Sequence, residues 1–196
     1  MTHFVGVVLV EVSRAAALDV NIVIGQMLAP YQESDEWRFD WFQIGGRFTG
    51  LFDSYDPESD PANYETCIYC EGTGVTTQAV ADKYPAYQKH VGEACIQCSD
   101  SEHGFPRPFP GRKLRFPFVP HEADVIRARD IDIERLRYIP GVIVTPDGEW
   151  HEQARIGLFM SELPKEDGSP TLTESEWTPQ FCHLLDDNRG AVAVLV

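Results

Sequence analysis

Among the side chains that can do chemistry, four of the five cysteines are the most regularly placed. They form Cys67-x-x-Cys70 and Cys95-x-x-Cys98, with 24 residues between the pairs. A Cys-x-x-Cys knuckle turns two thiolates toward one point, and two knuckles complete the tetrahedron that Zn2+ prefers. Gly72 and Gly74 follow the first pair and relieve backbone crowding in its turn. Four thiolates leave no coordination position open, so the expected Zn2+ is structural rather than catalytic. The competing readings are four unrelated free cysteines, or a redox pair, for which neither knuckle shows the helix start that activates a thiol. Cys182 is the odd fifth cysteine and suits a reducing compartment.

A second group of residues could hold an anion. Gly45 and Gly46 can expose backbone N–H groups, and Arg47 beside them can grip a phosphate or carboxylate through two parallel hydrogen bonds. His151 is the acid-base group such a site would use. The plainer alternatives are a glycine turn with Arg47 paired to Asp40 or a neighbour, and a surface hairpin with Trp150 packed. Glu152 and His151 point to opposite faces of a strand and make no acid-base pair. Cys182 and His183 are adjacent on a helix, about 100° apart, and do not form a metal pair. A nucleophilic Cys182 competes with the commoner buried cysteine. No phosphate-binding loop, dinucleotide glycine motif, nucleophile elbow or HExxH helix is present.

The formal net charge is −15, from 31 acidic and 16 basic side chains, which argues against general binding of a phosphate backbone. Half of the basic residues are nonetheless clustered: Arg107, Arg112, Lys113, Arg115, Arg127, Arg129, Arg135 and Arg137. The first four lie in Phe105 to Pro120, where five prolines alternate with Phe and Arg. Prolines keep such a segment extended and lower the entropy lost on docking. It is either a recognition arm for a strand of nucleic acid or a linker that lies over the body and buries its phenylalanines.

Cys67-Ile68-Tyr69-Cys70-Glu71-Gly72-Thr73-Gly74 resembles the CxxCxGxG repeat of the zinc centre in DnaJ-type chaperones; it occurs once here, and the second pair lacks the glycines. That resemblance implies zinc and no chaperone activity. Asp40-Trp41-Phe42-Gln43-Ile44-Gly45-Gly46-Arg47-Phe48-Thr49-Gly50 and Asp147-Gly148-Glu149-Trp150-His151-Glu152 resemble two blocks of an uncharacterised family of small bacteriophage-encoded proteins. With the terminal helix and strand the resemblance spans about a third of the chain, and it implies no particular activity.

An α+β body is expected to carry these residues. His3 to Val12 is a nearly continuous apolar, β-branched run, a buried strand. Ser13 suits the N-cap of a helix that must stop before Pro30, although Val20, Ile22, Val23 and Ile24 also permit a strand. Arg38 to Ile44 alternates aromatic and polar residues and reads as a strand ended by Gly45-Gly46. Glu122 to Arg137 has a weak helical pattern. Val142 to Thr145, a Pro146-Asp147-Gly148 turn, and Glu149 to Leu158 predict a β-hairpin. Thr173 and Glu176 form a capping-box pattern ahead of Trp177, Phe181, Leu184 and Leu185, with Pro179 pushing the helix start later. Ala191 to Val196 is a last strand. In order these predict a ferredoxin-like β-α-β-β-α-β sandwich with an inserted zinc-binding module. The division is 1–60 for the first half of the core, 61–104 for the zinc-binding insertion, 105–120 for the Pro/Arg/Phe-rich arm and 121–196 for the second half.

No run approaches the ~18 apolar residues of a membrane span and no signal-peptide pattern opens the chain, so a cytoplasmic protein is expected, and the phage resemblance implies the cytoplasm of a bacterial host cell. The leading functional expectation is a zinc-stabilised accessory protein of phage type that binds a host or viral macromolecule, for instance as an acidic inhibitor of a nucleic-acid-binding protein. The others are an enzyme or sensor of a nucleotide or phosphorylated small molecule using Arg47 and His151, and direct nucleic-acid binding by the zinc module and Arg107, Arg112, Lys113 and Arg115.

Overall fold

The structure is a computed structural model that describes residues 5–32, 41–53, 55–98, 108–156, 162–163 and 171–196. In chain order the elements are β1 (Gly6–Val10), α1 (Val12–Ala17), α2 (Val20–Leu28), β2 (Tyr64–Thr66), α3 (Gln78–Lys83), β3 (Arg112–Leu114) and β4 (Val125–Arg127). They continue with β5 (Val142–Val144), β6 (Trp150–Glu152), β7 (Arg155–Ile156), β8 (Glu162–Leu163), α4 (Glu174–Asp187) and β9 (Val192–Leu195). The chain divides into two compact units, unit 1 from Met1–Tyr55 with Pro120–Val196, and unit 2 from Asp56–Val119.

Unit 1 is mixed α+β, with a five-stranded sheet in the order β4-β9-β1-β5-β6. β1 lies at its centre, parallel to β5 and antiparallel to β9. Because β1 is covered on both faces, its sequence is apolar without alternation. Val7 and Leu9 pack with Ile143, Ala193 and Leu195 against Trp177, Phe181 and Leu185 of α4. Val8 and Val10 pack with Val142, Val144 and Val194 against Val23, Ile24, Met27 and Leu28 of α2. Full burial of each such side chain stabilises by roughly 1.5–3 kcal/mol, so a charge placed at Val8 would be enough to break the sheet's centre.

The ferredoxin-like arrangement needs correction in three respects. A ferredoxin-like sheet carries both helices on one face, and here α2 and α4 lie on opposite faces. β1 neighbours the first strand of the β5–β6 hairpin rather than the second. The edge strand β4 comes from Glu122 to Arg137, where a helix was expected; the remainder of that stretch is single 3-10 turns. Among the described residues of Arg38 to Ile44, namely Trp41 to Ile44, there is no strand. Asp40 lies outside the described residues.

Local signals explain the helices. The single helix expected after β1 is two, because Asp19 accepts a hydrogen bond from the Asn21 N–H at 2.8 Å and starts α2 afresh. The cap of α1 falls on Glu11, not Ser13. In α4, the Glu176 carboxylate accepts from the Thr173 N–H at 2.9 Å and its hydroxyl at 2.7 Å. Pro179 lies inside α4 and does not delay it. The carbonyl it leaves without a helical donor belongs to Ser175, an exposed residue, so solvent can take the donor's place. The β5–β6 turn forms as expected, with Gly148 at φ 91°. Trp150 packs on Tyr31 with ring centroids 5.0 Å apart.

In unit 2, β2 and β3 pair antiparallel, Tyr64 opposite Leu114 and Thr66 opposite Arg112. Fully buried Asn63 joins the two ends of the unit: its amide donates to Pro57 O at 3.0 Å, and its carbonyl oxygen accepts from the Val119 N–H at 2.7 Å. No helix among the described residues is long and apolar enough to cross a membrane.

Candidate metal centre

Cys67, Cys70, Cys95 and Cys98 are all buried, and their sulfurs lie within 4.8 Å of one another. The Cys67–Cys95 sulfurs are 3.9 Å apart and the Cys70–Cys98 sulfurs 3.7 Å. A tetrahedral metal with M–S bonds of about 2.3 Å sets its thiolates about 3.8 Å apart. Disulfides would need ~2.05 Å. The donor set and spacing thus fit one metal ion in an all-sulfur tetrahedron, the preference of zinc or a single iron. Four ligands from the protein close the coordination sphere.

The knuckles form for local reasons. Glu71 (φ 52°), Gly72 (φ 85°) and Gly74 (φ 77°) take left-handed conformations that fold the chain back after Cys70. The Thr73 hydroxyl donates to Cys70 O at 2.7 Å and closes the turn. Val75 bridges to Ala94, which brings the second knuckle beside the first, and Cys95 N–H donates to Gly74 O at 2.9 Å. Burial pushes the Cys95 and Cys98 thiols above their ordinary pKa. Burial acts the same way on Cys70 but is outweighed by the amides of Gly74 and Gly72 and the neighbouring thiols, which hold Cys70 below the ordinary value. A divalent cation held by these residues would supply the charge that stabilises all four as thiolates.

Cys182 stands apart from this cluster on α4. Burial, and then the Asp186 carboxylate, raise its thiol pKa, which opposes a nucleophilic role. His183 is exposed and lies 3.4 Å from Asp187.

The candidates for an anion site do not converge. The Gly45 N–H donates to Leu195 O at 2.9 Å, beside β9, while His151 lies on the edge strand β6 opposite Ile143. Leu195, Val7, Ile143 and His151 follow one line across four strands, so His151 is about 14 Å from Leu195 at ~4.8 Å per strand. Arg47 is exposed. The His151 Nε2 is 3.6 Å from a Glu149 carboxylate oxygen, and the Trp150 indole N–H donates to Glu152 at 2.8 Å.

The glycine pair has a different partner. Gly45 (φ 67°) forms a γ-turn, closed by Gly46 N–H donating to Ile44 O at 2.7 Å. A Cβ on Gly45 would meet the Asp124 carboxylate at 2.1 Å. Fully buried Asp124 accepts from the Thr49 hydroxyl, from Gly50 N–H at 2.7 Å and from His121 N–H at 2.8 Å. His121 in turn stacks on Tyr55 at 4.1 Å. The Ile44-to-Gly50 block is therefore the wrapping of a buried carboxylate, which sequence reasoning missed. The only local signal was a Thr-Gly pair behind two glycines, and its acceptor is more than 70 residues away.

The basic arm is partly spoken for. Arg112 donates to Tyr64 O at 2.7 Å, and Lys113 sits opposite Glu65 in the β2–β3 register. Arg115 is exposed. Phe109 packs edge-on against Tyr64 at 4.7 Å, and Phe118 is buried. Arg107 and Phe105 lie outside the described residues. Comparison of the chain with family models, curated proteins and solved structures returns no match.

Proposed function

We propose that this chain is a zinc-stabilised binding protein, an accessory protein of phage type that acts by docking on a host or viral macromolecule. The observation that carries the metal part of this reading is the four buried sulfurs at tetrahedral spacing. A closed all-thiolate sphere suits a structural ion, which orders unit 2 as a presented surface rather than activating a water or substrate. The resemblance of the two sequence blocks supports only the phage type, and the docking part is supported by the net charge of −15. Such a charge speeds encounter with a basic surface and disfavours acidic partners. Direct recognition of nucleic acid is less well supported, because Arg112 of the arm already donates to Tyr64 O and the net charge of −15 opposes a phosphate backbone.

The test begins with the metal. Purified protein should hold one zinc per chain by elemental analysis, with four thiols protected from a thiol reagent until a chelator is added. An iron-loaded protein with the red colour of a thiolate complex would replace zinc in the reading; metal-free protein with an intact unit 2 would end it. For docking, association with the basic partner recovered from the host should slow as salt rises. A partner whose on-rate is indifferent to salt would remove the acidic surface from recognition.

A further inference from the structure

We propose that Gly111, in the proline-rich arm, is a positioning residue of the metal centre that clamps the two knuckles together through its backbone. The proposal rests on the reading of the four thiolates as a metal site. Gly111 touches one ligand from each knuckle: its carbonyl accepts from Cys67 N–H at 2.9 Å, and its amide faces the Cys98 sulfur. The residue is buried with φ 79°. A Cβ there would lie 2.1 Å from Gly72 O and 3.1 Å from Gly74 N, both backbone atoms of the first knuckle. Gly72 and Gly74 are themselves the residues whose amides hold the Cys70 sulfur. Gly111 thus fits into the first knuckle with no room for a side chain while reaching a ligand of the second.

The fold holds it in that place. β3 starts at the next residue and pairs with β2, which runs directly into Cys67. Arg112 N–H donates to Phe109 O at 3.1 Å and turns the chain at Pro110-Gly111. An N–H directed at a ligand sulfur fixes the orientation of that sulfur, as outer-shell hydrogen bonds do for metal ligands. The arm, read from its composition as a recognition segment or a linker, acquires a third role as the outer wall of the metal site.

The test uses the full chain with isotopically enriched cadmium in place of zinc. A cadmium resonance in the four-thiolate range, with a through-bond correlation to the Gly111 amide across the N–H···S–Cd path, is expected. A four-thiolate resonance without that correlation overturns the clamp and leaves the metal reading standing. Absence of any four-thiolate resonance overturns the metal reading itself. Independently, Gly111→Ala should release zinc to a chromophoric chelator about tenfold faster than the parent, or more. Gly92→Ala is the matched control, with φ 86° and nothing within 4 Å of the added Cβ. Equal release from the two variants would show that left-handed strain, not the clamp, was measured, and would overturn the proposal.

Discussion

In unit 1, β1, β5 and β9 bury Val, Leu and Ile on both faces of a sheet, and Trp177, Phe181 and Leu185 fill the layer above it. In unit 2 the corresponding cluster is Cys67, Cys70, Cys95 and Cys98, with only Tyr69 partly buried against it among the described residues. Among the described residues its other buried apolar side chains include Tyr64, Val80, Ala81 and Phe118. Small folding units lack the volume to bury enough apolar surface, and a metal is one of the few substitutes. On the metal reading the two units draw stability from different sources, and a perturbation of one source should leave the packing of the other in place.

The widest separation should come from the metal. Cys67→Ser or Cys95→Ser should abolish zinc binding and unfold the knuckles, since structural zinc contributes roughly 10–16 kcal/mol in isolated peptides at neutral pH. Hydrogen exchange should then show β2 and β3 amides unprotected while those of Val7 to Val10 stay slow. Parallel loss in β1 would show one cooperative structure and break the comparison. The converse experiment is Phe181→Ala, which empties part of the unit 1 core at a cost of about 3–5 kcal/mol. The melting temperature of the sheet should fall and the zinc content should not change.

Smaller effects sharpen the account of unit 1. Gly45→Ala and Gly148→Ala both place a side chain at positive φ, but only the first drives a Cβ into the buried Asp124 carboxylate; nothing lies within 4 Å of the second. Gly148→Ala should cost about 1 kcal/mol in a denaturant titration and Gly45→Ala several times that. Equal costs would mean that Asp124 moves freely aside. The smallest effect is the pH response of the α4 cap. The Thr173 hydroxyl and N–H hold the Glu176 carboxyl below the usual range. A depressed folded pKa contributes stability above the unfolded value, and that contribution is lost as pH falls through the folded one. Glu176→Gln should remove this acid-side fraying of α4, followed by circular dichroism, without altering zinc retention.

What could be read from the sequence was local. The apolar run of β1, the capping pattern of α4, the Asp-Gly turn between β5 and β6, and the paired cysteines each carry their signal within about ten residues. The misreadings came where partners are distant. Val125 to Arg127 reads as part of a helix with Ile131, Ile133 and Leu136, yet those residues pack onto the core from within or just after 3-10 turns, and β9 captures β4. The Gly45-Gly46 turn reads as an anion cradle in sequence, but its amides go to Leu195 O and Ile44 O, and the carboxylate that fills the space at Gly45, Asp124, is supplied by the other side of the insertion. Gly111 was hidden in a segment whose prolines and arginines drew attention to its surface chemistry. No periodicity reports a contact of this kind, since what defines it is the shape of a backbone surface from elsewhere in the chain.

The bridge that Asn63 makes between Pro57 and Val119 also bears on the order of events in folding. Gly50 and Asp124 are 74 residues apart along the chain and must meet for unit 1 to close. The entropy of joining two points grows with the logarithm of the loop between them. Once unit 2 is ordered, with Pro57 and Val119 each bonded to Asn63, the loop still to be closed shrinks to roughly a dozen residues, which lowers the closure cost by about 2 kcal/mol. Ordering of unit 2 then eases the closure of unit 1 through chain entropy alone, a gain small beside the burial of unit 1's own core.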